Sequence, residues 1–442
     1  MIGNFLDLDF STPTTRICMI MSIIFQAYFQ IPDFKHNTSQ EMELYCAVQE
    51  YAWGKVGPKS QVAQLSKNRP DFELKPDTTY AELWMGTHPN GPSKIAGSSE
   101  TLDAYIKSHP EVLGNSCREK FGNNLPFLFK ILSVNKALSI QAHPNIELAK
   151  ELHTSRPHIY KDANHKPEMA IALTEFEGLC GFRPLSEIQS HIINIPQLRH
   201  VVGENASKEL LDSSSDSYDK ALKTCFTKLM QCDKETIAKM FDELMEAIIE
   251  KNSRDELDNL YLRLSEQYPK DVGCFVIYFL NFVRLNPGEA MFLGPNVPHA
   301  YLSGDCVECM ACSDNVVRAG LTPKLIDVDV LCGMLEYVCT EGEKSVKFPS
   351  NFENQNSLLY EAPVPDFSVA KLIVDNQYKS IPRESASIII CVQGTCNYNV
   401  NRDDTSCYAT GKMEAGTVLF LGSKDQCKFE AKDPVVCYQA FC

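Results

Sequence analysis

A surplus of positive charge is missing from this chain. Lysine and arginine number 42 against 57 aspartates and glutamates, a formal charge of −15. With no spare cations to displace counterions, the composition argues against nucleic acid or an anionic membrane as a partner. An anionic ligand would need a local basic pocket working against the global field. Also missing is an apolar run of the roughly 20 residues that a bilayer span requires; the stretch from Ile17 to Phe29 is too short. Its leader carries Asp7 and Asp9 with Arg16 as the cation, and no small-residue cleavage site follows, so it makes a poor signal peptide. Cysteine is plentiful, at 18, yet the spacing of a disulfide framework is absent. The cysteines are scattered singly, as expected of thiols in a reducing cytosol. Cys306-x-x-Cys309-x-x-Cys312 lacks the fourth cysteine of an iron–sulfur signature, because Val316 stands there. On a strand, Cys309 would face away from Cys306 and Cys312, so the three could not share one metal.

What is present reads as globular. Hydrophobic content of 44% and charged content of 22% are ordinary for a folded soluble protein, and 442 residues suffice for about three domains. Domain-like sequence begins near Met42, which leaves residues 1–41 as an N-terminal extension, disordered or packed. From there to about Arg183, short strands alternate with dense turn signals such as Pro89-Asn90-Gly91-Pro92 and His143-Pro144-Asn145. The texture then changes. Leu222, Phe226 and Leu229, then Ile237, Met240, Phe241 and Leu244, then Leu257, Leu260 and Leu264 recur at helical spacing, with Asp233 as an N-cap. Strand-like sequence returns at Cys274–Val283 and again from about residue 350. The expected fold is mostly β with a helical insertion: cupin-like double jelly-roll barrels plus an α-helical domain. The expected parts are 1–41, 42–184 (first part of a catalytic cupin domain), 185–268 (helical insertion), 269–345 (second part) and 346–442 (a metal-free cupin-like domain).

Chemistry first shows in the segment Ala137-Leu138-Ser139-Ile140-Gln141-Ala142-His143. As a strand it places Ser139, Gln141 and His143 on one face and the apolar residues on the other. Taken alone, Gln-x-His is an ordinary solvent-facing row. Three other stretches change that reading. Lys166-Pro167-Glu168 leads directly into an apolar strand. In Pro295-Asn296-Val297-Pro298-His299-Ala300-Tyr301, two prolines bracket a turn that delivers His299 and Tyr301 to one face. The third runs from Gly304 to Leu321. A lone histidine after a proline turn is usually a satisfied loop residue, and a glutamate at a strand start is usually solvated. Together, however, Gln141, His143, Glu168 and His299 form a nitrogen and oxygen set suited to zinc or another borderline divalent ion.

These stretches also carry a resemblance. Tyr51-Ala52-Trp53-Gly54-Lys55, the run Ala81 to Pro89, Gln141-Ala142-His143-Pro144-Asn145, Asn164-His165-Lys166-Pro167-Glu168, Asn296 to Tyr301 and Asp314 to Thr322 resemble, in order, the type I phosphomannose isomerase family. The resemblance runs from about Cys46 to the C-terminus. It implies a metal-dependent cupin enzyme that interconverts mannose 6-phosphate and fructose 6-phosphate, supplying mannose 6-phosphate for GDP-mannose synthesis and glycosylation. One Zn²⁺ per chain would sit on Gln141, His143, Glu168 and His299, and the active-site arginine would be Arg318. The final barrel would carry no metal, in keeping with the absence of histidine after His299.

Isomerisation through an enediolate needs a base and positive charge. Glu308, on the strand face of Cys306 and Met310, is the candidate base, or else a structural partner of Arg318 or Lys166. Lys166 and Arg318 supply charge for the enediolate and the phosphate. Ser139 and Lys130 are candidates for the phosphate end; Tyr301, Trp53 and His88 are candidates for the pocket wall, with Glu82 in support and Trp84 in the core. The implied protein is a cytoplasmic monomer that acts on a small sugar phosphate and binds neither nucleic acid nor membrane. Competing readings are an iron-dependent cupin oxygenase, disfavoured by the glutamine ligand and nearby cations, and a non-enzymatic sugar- or metal-binding cupin.

Overall fold

Eleven strands make the sheet that carries the polar motifs. They are β1 (Ala47–Gln49), β2 (Glu82–Met85), β3 (Phe127–Val134), β4 (Ile140–Ala142), β5 (Glu168–Ala172), β6 (Phe176–Phe182), β7 (Leu280–Leu285), β8 (Ala290–Leu293), β9 (His299–Ala311), β10 (Val317–Gly320) and β11 (Lys347–Phe348). The computed structural model describes residues 43–214, 217–402 and 406–442. The expected extension over 1–41 lies outside the described residues.

β9 is the long central strand. It pairs antiparallel with β3 and β5 along its length, and with β4 and β6 at its start. Its alternation sorts two cores: Val307 and Cys309 enter one with Phe129, Ile131 and Ile171, while Cys306 enters another with Leu132, Ala170 and Met291. Cys306 and Cys309 therefore lie on opposite faces. β4 pairs on its other side with β10.

Between β6 and β7 the described residues make seven helices: α1 (Leu185–Asn194), α2 (Pro196–Val202), α3 (Glu204–Leu211), α4 (Tyr218–Gln231), α5 (Lys234–Ile249), α6 (Glu256–Gln267) and the short α7 (Gly273–Val276). The apolar stripes read from the sequence are buried, including Leu222, Phe226, Met240, Leu244 and Leu260. Asp233 caps α5 by accepting from Thr236 N at 2.9 Å, and Asp255 forms a capping box with Asp258 at the start of α6. The core of this block continues into the sheet through Ile140 and Ala142 of β4 and Val317 and Ala319 of β10. The helices thus back the strands whose opposite faces carry Gln141 and Arg318.

After β11 come two more open sheets, of six and four strands, whose inner faces share a core of Leu372, Ile389, Val400, Met413, Leu419 and Phe429. Among the described residues, no helix is long and apolar enough to cross a membrane.

The expectation of a mostly β chain built from cupin-like jelly-roll barrels is corrected. Among the described residues, helix and strand take nearly equal shares, 30% and 33%. Beyond the insertion, helices stand at Gln61–Ser66, Leu102–Ser108, Asn115–Phe121, Ile146–Ser155 and Val328–Met334. The sheets are open: the main path runs β11-β8-β5-β9-β3-β2-β1, and its end strands do not pair with each other. Alternating polarity shows that a strand has a buried face, but closure depends on which distant edges meet, which that alternation does not encode. The end strands β1 and β11, of three and two residues, leave little edge to pair.

Candidate metal centre and active site

The proline-bracketed turn before β9 places His299 directly opposite Gln141 of β4, and Gln141 in turn lies opposite Arg318 of β10. Asn296, at φ 62°, turns the loop so that its N–H donates to the His143 carbonyl at 2.8 Å. Glu168, first in β5, faces Met310 of β9 and Leu293 of β8. In this way His143, Glu168 and His299 come together, all buried, with one potential ligand atom from each within 4.8 Å of the others.

The two imidazoles are prepared alike. His143 Nδ1 lies 2.6 Å from the Asn315 carbonyl, and His299 Nδ1 lies 2.8 Å from the Val297 carbonyl. A carbonyl can only accept, so Nδ1 carries a proton in each ring and Nε2 is the atom turned toward the site. Neither Nε2 makes a hydrogen bond; both stand near the same Glu168 oxygen, at 3.4 and 3.3 Å. Burial, opposed by the Glu168 charge, pushes His143 down to about 4, which keeps it neutral. Burial alone would push Glu168 up, but Lys166, with Nζ 3.2 Å from the other oxygen, and then the histidines hold it well below the carboxylate range. Two buried, unpartnered Nε2 atoms and an anion converge. That arrangement fits a cation and leaves little other reason to bury it.

A second charged group lies on the same sheet face. Lys130 of β3 sits in register between Trp84 of β2 and Glu308 of β9. Its Nζ reaches Glu308 at 2.9 Å and Glu82 at 3.2 Å. Trp84 Nε1 also donates to Glu82, at 2.6 Å, so Trp84 is more than core filling. Burial pulls Lys130 down, but the charges of Glu308 and Glu82 outweigh it and the ammonium is held firmly protonated. Glu308 shifts up: its burial, with Glu168 and Glu82 nearby, exceeds the pull of Lys130.

One cavity joins the two groups. Of the candidates, Gln141, Glu168, His299, Lys130, Ser139, Lys166, Tyr301 and Glu308 line it, as does Glu82. Ser139 Oγ donates to Gln141 Oε1 at 3.1 Å. Tyr301, 4% exposed, has a hydroxyl with no hydrogen-bond partner. Four candidates stand apart from the lining: His143, buried behind it, and Arg318, His88 and Trp53. Arg318 is partly buried beside Gln141 with no ion pair among the described residues, and its burial lowers the guanidinium. His88 packs edge-on against Trp84 and reaches Asp314 at 3.4 Å. Trp53 stacks on Tyr51, and its carbonyl caps the turn at Asn135 and Lys136.

The support behind His143 is the part that sequence reading missed. Asn315 Nδ2 donates to the Asp162 and Asn164 carbonyls at 2.8 and 3.0 Å, and Ser313 Oγ donates to Asp162 at 2.8 Å. These bonds hold the carbonyl that fixes the His143 tautomer. The available signal was the density of Asp, Asn and Ser in both loops.

A neutral–neutral–anionic donor set beside a lysine–carboxylate row defines a metal-binding enzyme site. Comparison with known proteins names the family. The catalytic, helical insertion and C-terminal models of type I phosphomannose isomerase match residues 42–185, 198–280 and 357–400. Mannose-6-phosphate isomerase of Bos taurus is 46% identical over 90% of this chain and 98% of its own length. That of Homo sapiens is 45% identical with the same coverage, and that of Schizosaccharomyces pombe is 40% identical over 90% of this chain and 99% of its own. A crystal structure of mannose 6-phosphate isomerase bound with zinc and yttrium superposes with a TM-score of 0.77 at 29% identity, covering 91% of this chain and 99% of that one. The apo form from Salmonella typhimurium gives 0.76, also at 29% identity. The chain belongs to the type I phosphomannose isomerase family. It is a sugar-phosphate isomerase with a metal-binding site.

Proposed function

We propose that the chain interconverts mannose 6-phosphate and fructose 6-phosphate with one Zn²⁺ held by Gln141, His143, Glu168 and His299. The observation that carries this reading is the pair of buried, unpartnered Nε2 atoms facing one ionised carboxylate. A nitrogen and oxygen set of this kind suits zinc, and one carboxylate among neutral ligands leaves about one net positive charge. When bound, the ion supplies Lewis acidity toward an oxygen-rich substrate.

The chain's own residues do the rest. Glu308 accepts the proton from the carbon beside the carbonyl and returns it to its neighbour, by way of an enediolate. Its buried setting raises its basicity above that of an ordinary carboxylate. Lys130 holds Glu308 in place and keeps a third N–H for the substrate. Lys166 and Arg318 stabilise negative charge, Arg318 by its planar fork toward phosphate. Ser139 is the further contact toward the phosphate, and the free Tyr301 hydroxyl donates to a sugar oxygen. Trp53 and His88 stand behind the wall and support it, Trp53 through the turn at Asn135 and His88 through Trp84. The proposed division of the chain falls near residues 185, 269 and 346, the proposed setting is a cytoplasmic monomer, and the product feeds GDP-mannose synthesis.

A coupled isomerase assay on metal-stripped and zinc-restored protein tests the reading. Activity on mannose 6-phosphate that vanishes on stripping and returns with zinc is the expected result; no turnover after restoration would overturn it.

A further inference from the structure

β4 and β10 have three and four residues, and β4 joins the sheet through a single residue pair, Gln141 opposite His299. Strands this short do not fix their own positions, yet they carry Gln141 and Arg318. One segment, from the end of α6 to Gly273, grips both. On the β4 side it takes both backbone groups of Ala137: Gln267 Oε1 accepts from Ala137 N at 2.8 Å, and the Tyr268 hydroxyl donates to Ala137 O at 2.6 Å. Lys136 Nζ lies 4.2 Å from the centre of the Tyr268 ring.

On the β10 side, Asp271 Oδ1 accepts from Leu321 N and from Gly273 N, each at 2.7 Å, and Oδ2 accepts from Thr322 N at 3.1 Å. The backbones touch where the two segments cross. A Cβ on Gly273 would stand 2.5 Å from Leu321 N, and one on Gly320 would stand 2.5 Å from Gly273 Cα. Lys270 and Leu321, one from each segment, hold left-handed φ values of 62° and 51°. Non-glycine residues keep such values only where their surroundings impose them.

We propose that Gln267 to Gly273 is a clamp by which the helical insertion sets the position of the Gln141–Arg318 pair. Tyr268 and Asp271 are then positioning residues for the reaction. They touch neither substrate nor metal and act through the backbone on either side of the site. Tyr268 acts on the metal-ligand strand, and Asp271 acts on the arginine strand. The kinetic part of this inference rests on the isomerase reading above; the metal-release part needs only the metal-binding site.

The test uses full-length, zinc-loaded protein carrying Asp271→Ala, Asp271→Asn or Tyr268→Phe. Asp271→Ala is expected to lower kcat on the order of 10- to 100-fold with zinc content intact, since small misplacements of a catalytic group cost that much. Asp271→Asn keeps the oxygen that serves Leu321 and Gly273, and restores most of the rate. Tyr268→Phe speeds zinc release to a chelator and hydrogen exchange at residues 137–142. The clamp is refuted if the variants shift only the melting temperature while kcat, KM and zinc release stay within about 2-fold of wild type. Should Asp271→Ala not fold, Asp271→Asn and Tyr268→Phe decide the matter. Wild-type protein inert toward mannose 6-phosphate would count against the isomerase reading, and zinc release would still judge the clamp.

Discussion

Asn315 holds His143: its carbonyl accepts the Nδ1 proton at 2.6 Å and leaves Nε2 as a bare lone pair. The Asn315 backbone is in turn tied down by its own side chain, which donates to the Asp162 and Asn164 carbonyls, and by Ser313, whose hydroxyl reaches Asp162. Asp162→Ala keeps those carbonyls but removes the carboxylate that accepts from Ser313 Oγ, from Asp314 N at 2.8 Å and from Asn315 Nδ2 at 3.3 Å, and is expected to weaken zinc binding by about 10-fold, the low end of the cost of losing such support. Turnover at saturating zinc should change much less. Zinc titration against a competing chelator, run beside the kinetic assay, separates the two effects.

Lys130 balances two carboxylates, and its own side chain is 8% exposed. Lys130→Met would leave Glu82 and Glu308 buried and uncompensated, at a cost of about 3–5 kcal/mol in unfolding free energy. Glu308→Gln keeps the shape and can still accept from Lys130. It is expected to retain zinc and fold while losing about 10²- to 10⁴-fold in kcat, the range for a general base. Denaturant melts and metal analysis on the two variants check the contrast.

Glu353, on the Asn351–Asn354 strand of the six-stranded sheet, supplies a pH test outside the metal-binding sheet. Burial pushes it up, but Arg383, at 2.7 and 2.9 Å, and Ser357, at 2.6 Å, hold it below the ordinary value. A carboxyl whose folded value is depressed binds fewer protons folded than unfolded. Its stabilisation is complete above the unfolded value of about 4.3 and is lost as pH falls through the folded one. Glu353→Gln should flatten the acid limb of the stability curve below about pH 5 and leave neutral-pH kinetics alone. Thermal melts across that range, with activity at pH 7, provide the check.

Much of the site was legible because its donors stand out locally: Gln141 and His143 two apart on a strand, Glu168 after Pro167, His299 between prolines. The helical block was equally plain, because its stripes repeat every three or four residues. The row Trp84–Lys130–Glu308 was not, since cross-strand register alone brings together residues this far apart in sequence. Sheet closure failed for the same reason. Cys274 to Val283 reads as one strand, yet Gly273–Val276 is helical and the strand begins at Leu280. A short, wholly apolar run has no periodicity to tell one from the other.

His143, Glu168 and His299 are proposed to hold the metal on which isomerisation depends. The most direct measurement is metal content and mannose 6-phosphate turnover in His299→Ala against wild type, purified alike and checked for folding by circular dichroism. Zinc and activity are expected to be lost together in a folded protein. Full zinc occupancy with a wild-type rate in His299→Ala would contradict the proposal.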